Sequence, residues 1–153
     1  MTRLALAALL MLAASCAPPA VTRTADPNAP IVLMYPTAGE GEIRLTVRPR
    51  YATGAPVVVE IDVRAGTIAI RGPLAGRVAE SELGGERVIR HLPDAELRPV
   101  DAPRGSRAST TTSWDARTDE GAFVGPATYS LTLDFAVGDA TQRVGTVLEL
   151  RPP

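Results

Sequence analysis

Four segments of this chain alternate apolar and polar residues with a period of two. Ile43, Leu45 and Val47 interleave with Arg44, Thr46 and Arg48. Val57, Val59, Ile61 and Val63 share one face, with Val58, Glu60 and Asp62 on the other. Tyr129, Leu131, Leu133 and Phe135 alternate with Ser130, Thr132 and Asp134, and Val144, Thr146, Leu148 and Leu150 form a matching face after Gly138-Asp139. Successive side chains on an extended strand point to opposite sides, so each segment is a strand with one buried face. No amphipathic helix of ten or more residues follows the N-terminal segment. The expected fold class is therefore all-β: an antiparallel β-sandwich of seven to nine short strands with turns every eight to twelve residues.

The remaining strands are weaker. Ile31 to Tyr35 is a short apolar run ended by Pro36, followed by a turn at Thr37-Ala38-Gly39-Glu40-Gly41. Thr67 to Arg71 reads as the returning strand of a hairpin with Val57 to Val63, ended by Gly72-Pro73. Arg77 to Leu83 reads as one helical turn or a loop, and Arg87 to Leu92 as a short strand. Pro93, Pro99 and Pro103 keep their surroundings irregular or on an edge. The Ser- and Thr-rich run Gly105 to Trp114 reads as an exposed strand. Trp114 to Thr128 is then a polar connection between this strand and the one beginning at Thr128.

The N-terminus has a different texture. Arg3 precedes Leu4 to Ala14, an uninterrupted Leu, Ala and Met run too short to span a bilayer. It ends Leu12-Ala13-Ala14-Ser15-Cys16, which resembles the lipobox of bacterial lipoproteins, with Ala13 where Leu is commonest. The alternative is an ordinary signal peptide that contains a cysteine. The resemblance implies a signal peptide over 1–15, cleavage before Cys16, and acylation of Cys16 as the mature N-terminus. It further implies a cell-envelope location. In a diderm this is the periplasmic face of the outer membrane or the cell surface, since Ala17 rather than Asp follows the cysteine. In a monoderm it is the outer face of the cell membrane. Cys16 is the only cysteine, so no internal disulfide can form, and acylation would remove a free thiol from an oxidising compartment. Residues 16–30, with Pro18, Pro19, Pro27 and Pro30, carry no apolar period and read as a tether. Residues 31–153 remain as the folded domain.

Trp114-Asp115, Asp119, Gly121, Val124, Pro126 and Thr128-Tyr129 resemble the Trp-Asp-Gly…Asp-x-x-Gly…Val-Pro-x-Gly-Thr-Tyr signature of two bacterial immunoglobulin-like families. One is the Ig-like domain of the flagellar hook-capping protein. The other is the Bacillus type of intracellular proteinase inhibitor. The likeness covers about a fifth of the mature chain. It implies an immunoglobulin-like sandwich with Trp114, Asp115, Asp119, Gly121, Pro126 and Tyr129 as structural signature residues. Ala116, Thr118 and Ala127 depart from the pattern. Ala tolerates positive φ poorly, so the lost glycines imply a different loop conformation. Asp115 and Asp119 are expected to fold back as Asx turns. Trp114 is expected to pack near the sandwich edge, where its N–H finds a carbonyl.

No constellation for chemistry stands out. The chain has 16 basic residues, all arginine, against 17 acidic, which does not favour nucleic acid. Asp115, Asp119 and Glu120 lack Ca²⁺-loop spacing, since Arg117 stands where an oxygen ligand belongs. His91 is the single histidine; it has no Cys partner for Zn²⁺, and there is no Gly-x-Ser-x-Gly element for a Ser–His–Asp triad. No catalytic residue, metal ligand or cofactor is expected. Arg44, Arg48 and Arg50 could hold an anionic sugar or lipid headgroup, or simply form a solvated strand face; Arg104-Gly105-Ser106-Arg107 is equally ambiguous. The expected function is that of a lipid-anchored binding or structural module that touches the membrane through Cys16 and contacts another envelope protein. The alternative is a proteinase inhibitor using an exposed loop within residues 74–104. An enzyme is the weakest reading.

Overall fold

The computed structural model describes residues 26–153; the expected signal peptide over 1–15, Cys16 and most of the expected tether lie outside the described residues. In chain order the strands are β1 (Ile31–Thr37), β2 (Gly41–Val47), β3 (Arg50–Ala52), β4 (Val57–Arg64), β5 (Ile70–Glu82), β6 (Gly85–His91), β7 (Val100–Ala102), β8 (Arg107–Trp114), β9 (Thr128–Val137) and β10 (Ala140–Arg151). The described helices are a 3₁₀ turn at Ala38–Glu40 and the four-residue α1 (Asp94–Leu97). None is long and apolar enough to cross a membrane.

The strands form two sheets. One has the order β1-β2-β4-β8, the other β3-β10-β9-β5-β6, with β7 also on β5. The four alternating segments of the sequence become β2, β4, β9 and β10, and their apolar faces are buried in one cluster drawn from both sheets. Burial of this apolar surface is the main stabilising term. The β9–β10 hairpin turns at Gly138, as expected, and pairs from Val137↔Ala140 to Thr128↔Glu149.

Several local expectations are corrected. Pro36 does not end β1; the strand continues to Thr37 because β1 is an edge strand, where a missing N–H costs no ladder bond. The segment after Ala65 does not return beside β4. Both sides of β4 are occupied, by β2 and β8, so the chain crosses to the other sheet and begins β5. Gly72-Pro73 does not end that strand but lies within it, where the register on β9 shifts between Arg71 and Ala75. A Cβ on Gly72, at φ 148°, would stand 2.7 Å from Phe135 Cδ1, so only glycine lets β5 pass this ring. Arg77 to Leu83 is neither helix nor loop but the second half of β5, with Val78 and Ala79 buried against β9. Ten strands replace the expected seven to nine because β3 and β7 are three-residue pieces. The β3–β10 pair is parallel, a departure from an all-antiparallel sandwich.

Candidate interaction surface

The connection from Trp114 to Tyr129 ties the two sheets together. Trp114 ends β8 with no solvent exposure and meets Tyr129 of β9 edge-on, with ring centroids 5.4 Å apart. Its Nε1–H donates to the Arg117 carbonyl at 2.8 Å, and the Tyr129 hydroxyl donates to the Gly125 carbonyl at 2.8 Å. Burial pushes the Tyr129 phenol above its ordinary pKa. Asp115 forms the expected Asx turn, accepting from the Arg117 N–H at 3.2 Å. Gly121 takes the left-handed conformation at φ 81°. Pro126 is exposed.

Two expectations for this stretch fail. Ala116 adopts φ 58° although it is not glycine. It is fully buried, and its carbonyl accepts the Val124 N–H at 3.0 Å, so the packed loop imposes the left-handed conformation on alanine. Asp119 makes no Asx turn. Its Oδ1 accepts the His91 backbone N–H at 2.9 Å, and its Oδ2 pairs with His91 Nδ1 at 2.8 Å. These bonds from His91 hold the Asp119 carboxyl below the usual carboxylate range. Asp119 therefore clamps the connection to β6, assisted by its own N–H donating to the Ile89 carbonyl at 2.9 Å. Beside it, Arg90 donates to Glu96 Oε1 at 2.7 Å and to the Thr118 carbonyl at 3.3 Å.

The other candidate groups are dispersed. No three potential metal ligands converge among the described residues. Arg44 pairs with Glu42 at 3.0 Å and lines a hollow with Asp62 and Arg107. Arg48 and Arg50 share a different hollow of about 540 Å³ with Tyr51, Pro30 and Glu60. Arg50 is 3.4 Å from Glu149. Ser106 of the Arg104–Arg107 stretch closes a turn on the Pro103 carbonyl at 2.7 Å.

The sheet edges set one region apart. An edge strand presents unpaired N–H and C=O groups and is ordinarily guarded by a cover, a bulge or charge. The edge at β8 is covered by α1: Thr112 Oγ1 donates to the Leu97 carbonyl at 2.9 Å and Thr110 Oγ1 to the Arg98 carbonyl at 2.7 Å. At β6 the guards are the Asp119 clamp and a bulge at Ile89, the residue left over where Val78 faces Arg90 and Ala79 faces Val88. The edge at β3 is three residues long and carries Arg50. Strand β1, Ile-Val-Leu-Met-Tyr-Pro-Thr, has no charge, no bulge and no described element paired on its open side, and is guarded only by Pro36 near its end. Val32 is 54% exposed and Met34 60%.

Strand β1 also borders an apolar groove. Ile31, Leu33 and Tyr35 line a shallow, open depression of about 440 Å³ together with Ser130, Thr132, Gly145 and Val147. The Tyr35 hydroxyl donates to the Gly145 carbonyl, and Gln142 Nε2 donates to the Pro36 carbonyl at 3.1 Å. The latter bond shows that Pro36 turns its carbonyl away from β2. Backbone direction alternates along an antiparallel strand, so Val32 and Met34 also turn their N–H and C=O groups to the open side. Periodicity alone hid this surface, because an apolar run of five residues reads as core.

No protein-family model matches this chain, and no curated protein matches it.

Proposed function

We propose that the protein is a lipid-anchored, extracytoplasmic binding or structural module with an immunoglobulin-like sandwich, which contacts another protein of the cell envelope. The observation that carries the contact is the open apolar edge of β1 beside its groove, the described sheet edge guarded by nothing but Pro36 near its end. An exposed, uncharged strand is a template for pairing, and addition of a strand to such an edge is a recurrent recognition mode. The lipobox-like Leu12 to Cys16 supplies the anchor, and the tether enters the domain at the start of β1. The Tyr129 hydroxyl, bonded four residues upstream to Gly125, supports the immunoglobulin-like reading, since such sandwiches use a tyrosine corner of this kind.

Two measurements test this. Metabolic labelling with palmitate should mark the chain and fail on Cys16→Ser; equal labelling of both, or none of either, removes the anchor. A photo-crosslinking amino acid at position 34, in the intact envelope, should capture a protein, whereas the same group at Asp139 should not. No capture from position 34 removes the contact. The alternative, proteinase inhibition, would use an exposed loop within residues 74–104; most of these belong to β5, β6, α1 and β7, and the β5–β6 turn at Leu83-Gly84, with Leu83 fully exposed, is the candidate. A protease panel at micromolar protein tests it directly.

A further inference from the structure

We infer that a hollow on the outer face of the second sheet, between His91, Arg77 and Thr132, binds a phosphate group. The site is independent of the β1 edge and of the anchor.

Strand register assembles it. Arg77 on β5 stands directly opposite His91 on β6 and, on its other side, directly opposite Thr132 on β9. Side chains directly opposite on neighbouring strands share a face, with Cβ atoms about 4.5–5.5 Å apart. His91, Arg77 and Thr132 thus form one row across three strands. With Ala75, Gly76 and Asp134 they line a hollow of about 100 Å³. That is smaller than the pockets that take a whole organic ligand, roughly 300–1,000 Å³. A small group fits, either free or at the end of a larger molecule.

The donors in this row are uncommitted. Arg50, Arg77, Arg90 and Arg117 are the partly buried arginines among the described residues. Arg50, Arg90 and Arg117 each pair with a carboxylate, that of Glu149, Glu96 and Asp115 respectively. Arg77 has no ion pair among the described residues. Its Nε–H donates to Thr132 Oγ1 at 3.2 Å, and its terminal nitrogens remain to donate. A guanidinium drawn partly out of water ordinarily keeps a carboxylate or phosphate partner. Asp134 is the one carboxylate lining the hollow among the described residues. Arg143 already holds both its oxygens, at 2.7 and 3.1 Å.

The neighbours of Arg77 complete an oxyanion site. Thr132 Oγ1 accepts from Arg77, so its own O–H is left to donate. The Asp119 carboxylate only accepts, so the proton between it and His91 sits on Nδ1. Nε2 of the neutral ring is then an acceptor. A carboxylate ligand has no hydrogen to offer it, whereas a hydrogen phosphate has its P–OH. Arg77 and Thr132 donate to the phosphate oxygens, and His91 takes the hydroxyl.

The test uses the purified full chain and inorganic phosphate. His91 is the single histidine, so one set of imidazole resonances reports on the site by NMR. Phosphate should shift these resonances saturably in the millimolar range, while chloride at equal ionic strength should not. Arg77→Gln should weaken binding about tenfold, the loss of a charge-assisted bond. Asp134→Asn should tighten it several-fold by removing the negative charge from the lining, a gain that misfolding cannot mimic. Arg104→Gln, in the turn before β8, should change nothing. Equal shifts with chloride, unaltered binding in Arg77→Gln, or weaker binding in Asp134→Asn would each overturn the inference. Glycerol 3-phosphate separates the two sources of the group. Tighter binding than inorganic phosphate marks a phosphomonoester headgroup as the ligand, and weaker binding marks free phosphate.

Discussion

Replacing Trp114 with alanine should be among the most damaging single changes in this domain. The indole is fully buried at the end of β8, where it reaches across to Tyr129 on the opposite sheet. A buried Trp hides roughly 150–250 Å², about 4–6 kcal/mol at 25 cal/mol per Å². The alanine methyl keeps part of that, and the unfolded chain is already partly collapsed, which lowers it further. Loss of the edge-on ring pair adds about 0.5–1.5 kcal/mol, and the Arg117 carbonyl loses its donor. The net expectation is about 3–5 kcal/mol. For a domain of this size that corresponds to a fall in Tm on the order of 10–20 °C. Equilibrium denaturation of the soluble domain measures it, and two further variants locate the source. Trp114→Phe keeps a ring against Tyr129 but removes the Nε1 donor, so it should cost about half as much or less. Tyr129→Phe keeps the ring and removes only the bond to Gly125, at about 1 kcal/mol. A loss below about 1 kcal/mol for Trp114→Ala would show that the two sheets are not joined through this contact.

Gly72→Ala should destabilise the domain by about 2–3 kcal/mol, because the new methyl meets Phe135 at 2.7 Å in a backbone conformation alanine resists; an unchanged melting midpoint would refute the close approach. Glu96→Ala leaves Arg90, whose side chain is 16% exposed, with only the more distant Asp119 carboxylate at 4.0 Å and should cost about 1–3 kcal/mol, discounted from a fully buried pair. Replacing both, as Arg90→Met with Glu96→Leu, should recover most of that loss in the same melts. Acid should weaken the fold through Asp134, held below the ordinary carboxylate range by the Arg143 guanidinium, and through Asp119, lowered by His91. A depressed carboxyl stabilises the native state above its unfolded pKa, near 4, and this is lost as pH falls through the lower folded value. Stability measured downward from pH 5 should therefore decline less steeply in Asp134→Asn than in the parent.

Where one face of a strand is buried and the other solvated, the sequence carried the fold. The faces of β2, β4, β9 and β10 could be read from period two alone, because each alternation is long enough to exclude a helix. The errors cluster where that contrast fails. Residues 70–82 hold Gly72, Pro73, Gly76 and Ala79 and alternate poorly, so β5 looked like two turns and a fragment. Yet it is the partner of β9 and β6, and its glycines are there because Phe135, Leu133 and Leu97 leave no room for a Cβ. Ala116 failed for a related reason. The cost of a left-handed alanine is about 1–2 kcal/mol, small enough for a buried, hydrogen-bonded loop to override, and local preference cannot report what the surroundings impose.

The candidate surface was less legible because an edge is defined by what is absent beside it, and absence is a property of the whole topology. Ile31 to Tyr35 looks like core in the sequence, and its inner face does pack on β2's side of the sandwich. Whether its outer face and open backbone are covered depends on elements remote in the chain. The guards of the other edges come from such places: Asp119 closes β6 from 28 residues away along the chain, and the Leu97 carbonyl receives Thr112 from 15 away. A chain that guards β6 with a clamp and a bulge, and β8 with a helical turn, has the means to guard β1 as well. A single lysine in place of Val32 or Met34 would serve. Instead Val32 and Met34 are apolar and exposed, and the guard within the strand is Pro36, which has no N–H to offer on the open side. The outward backbone groups of Val32 and Met34 thus remain unpaired among the described residues, a property no local pattern in Ile31 to Tyr35 could announce.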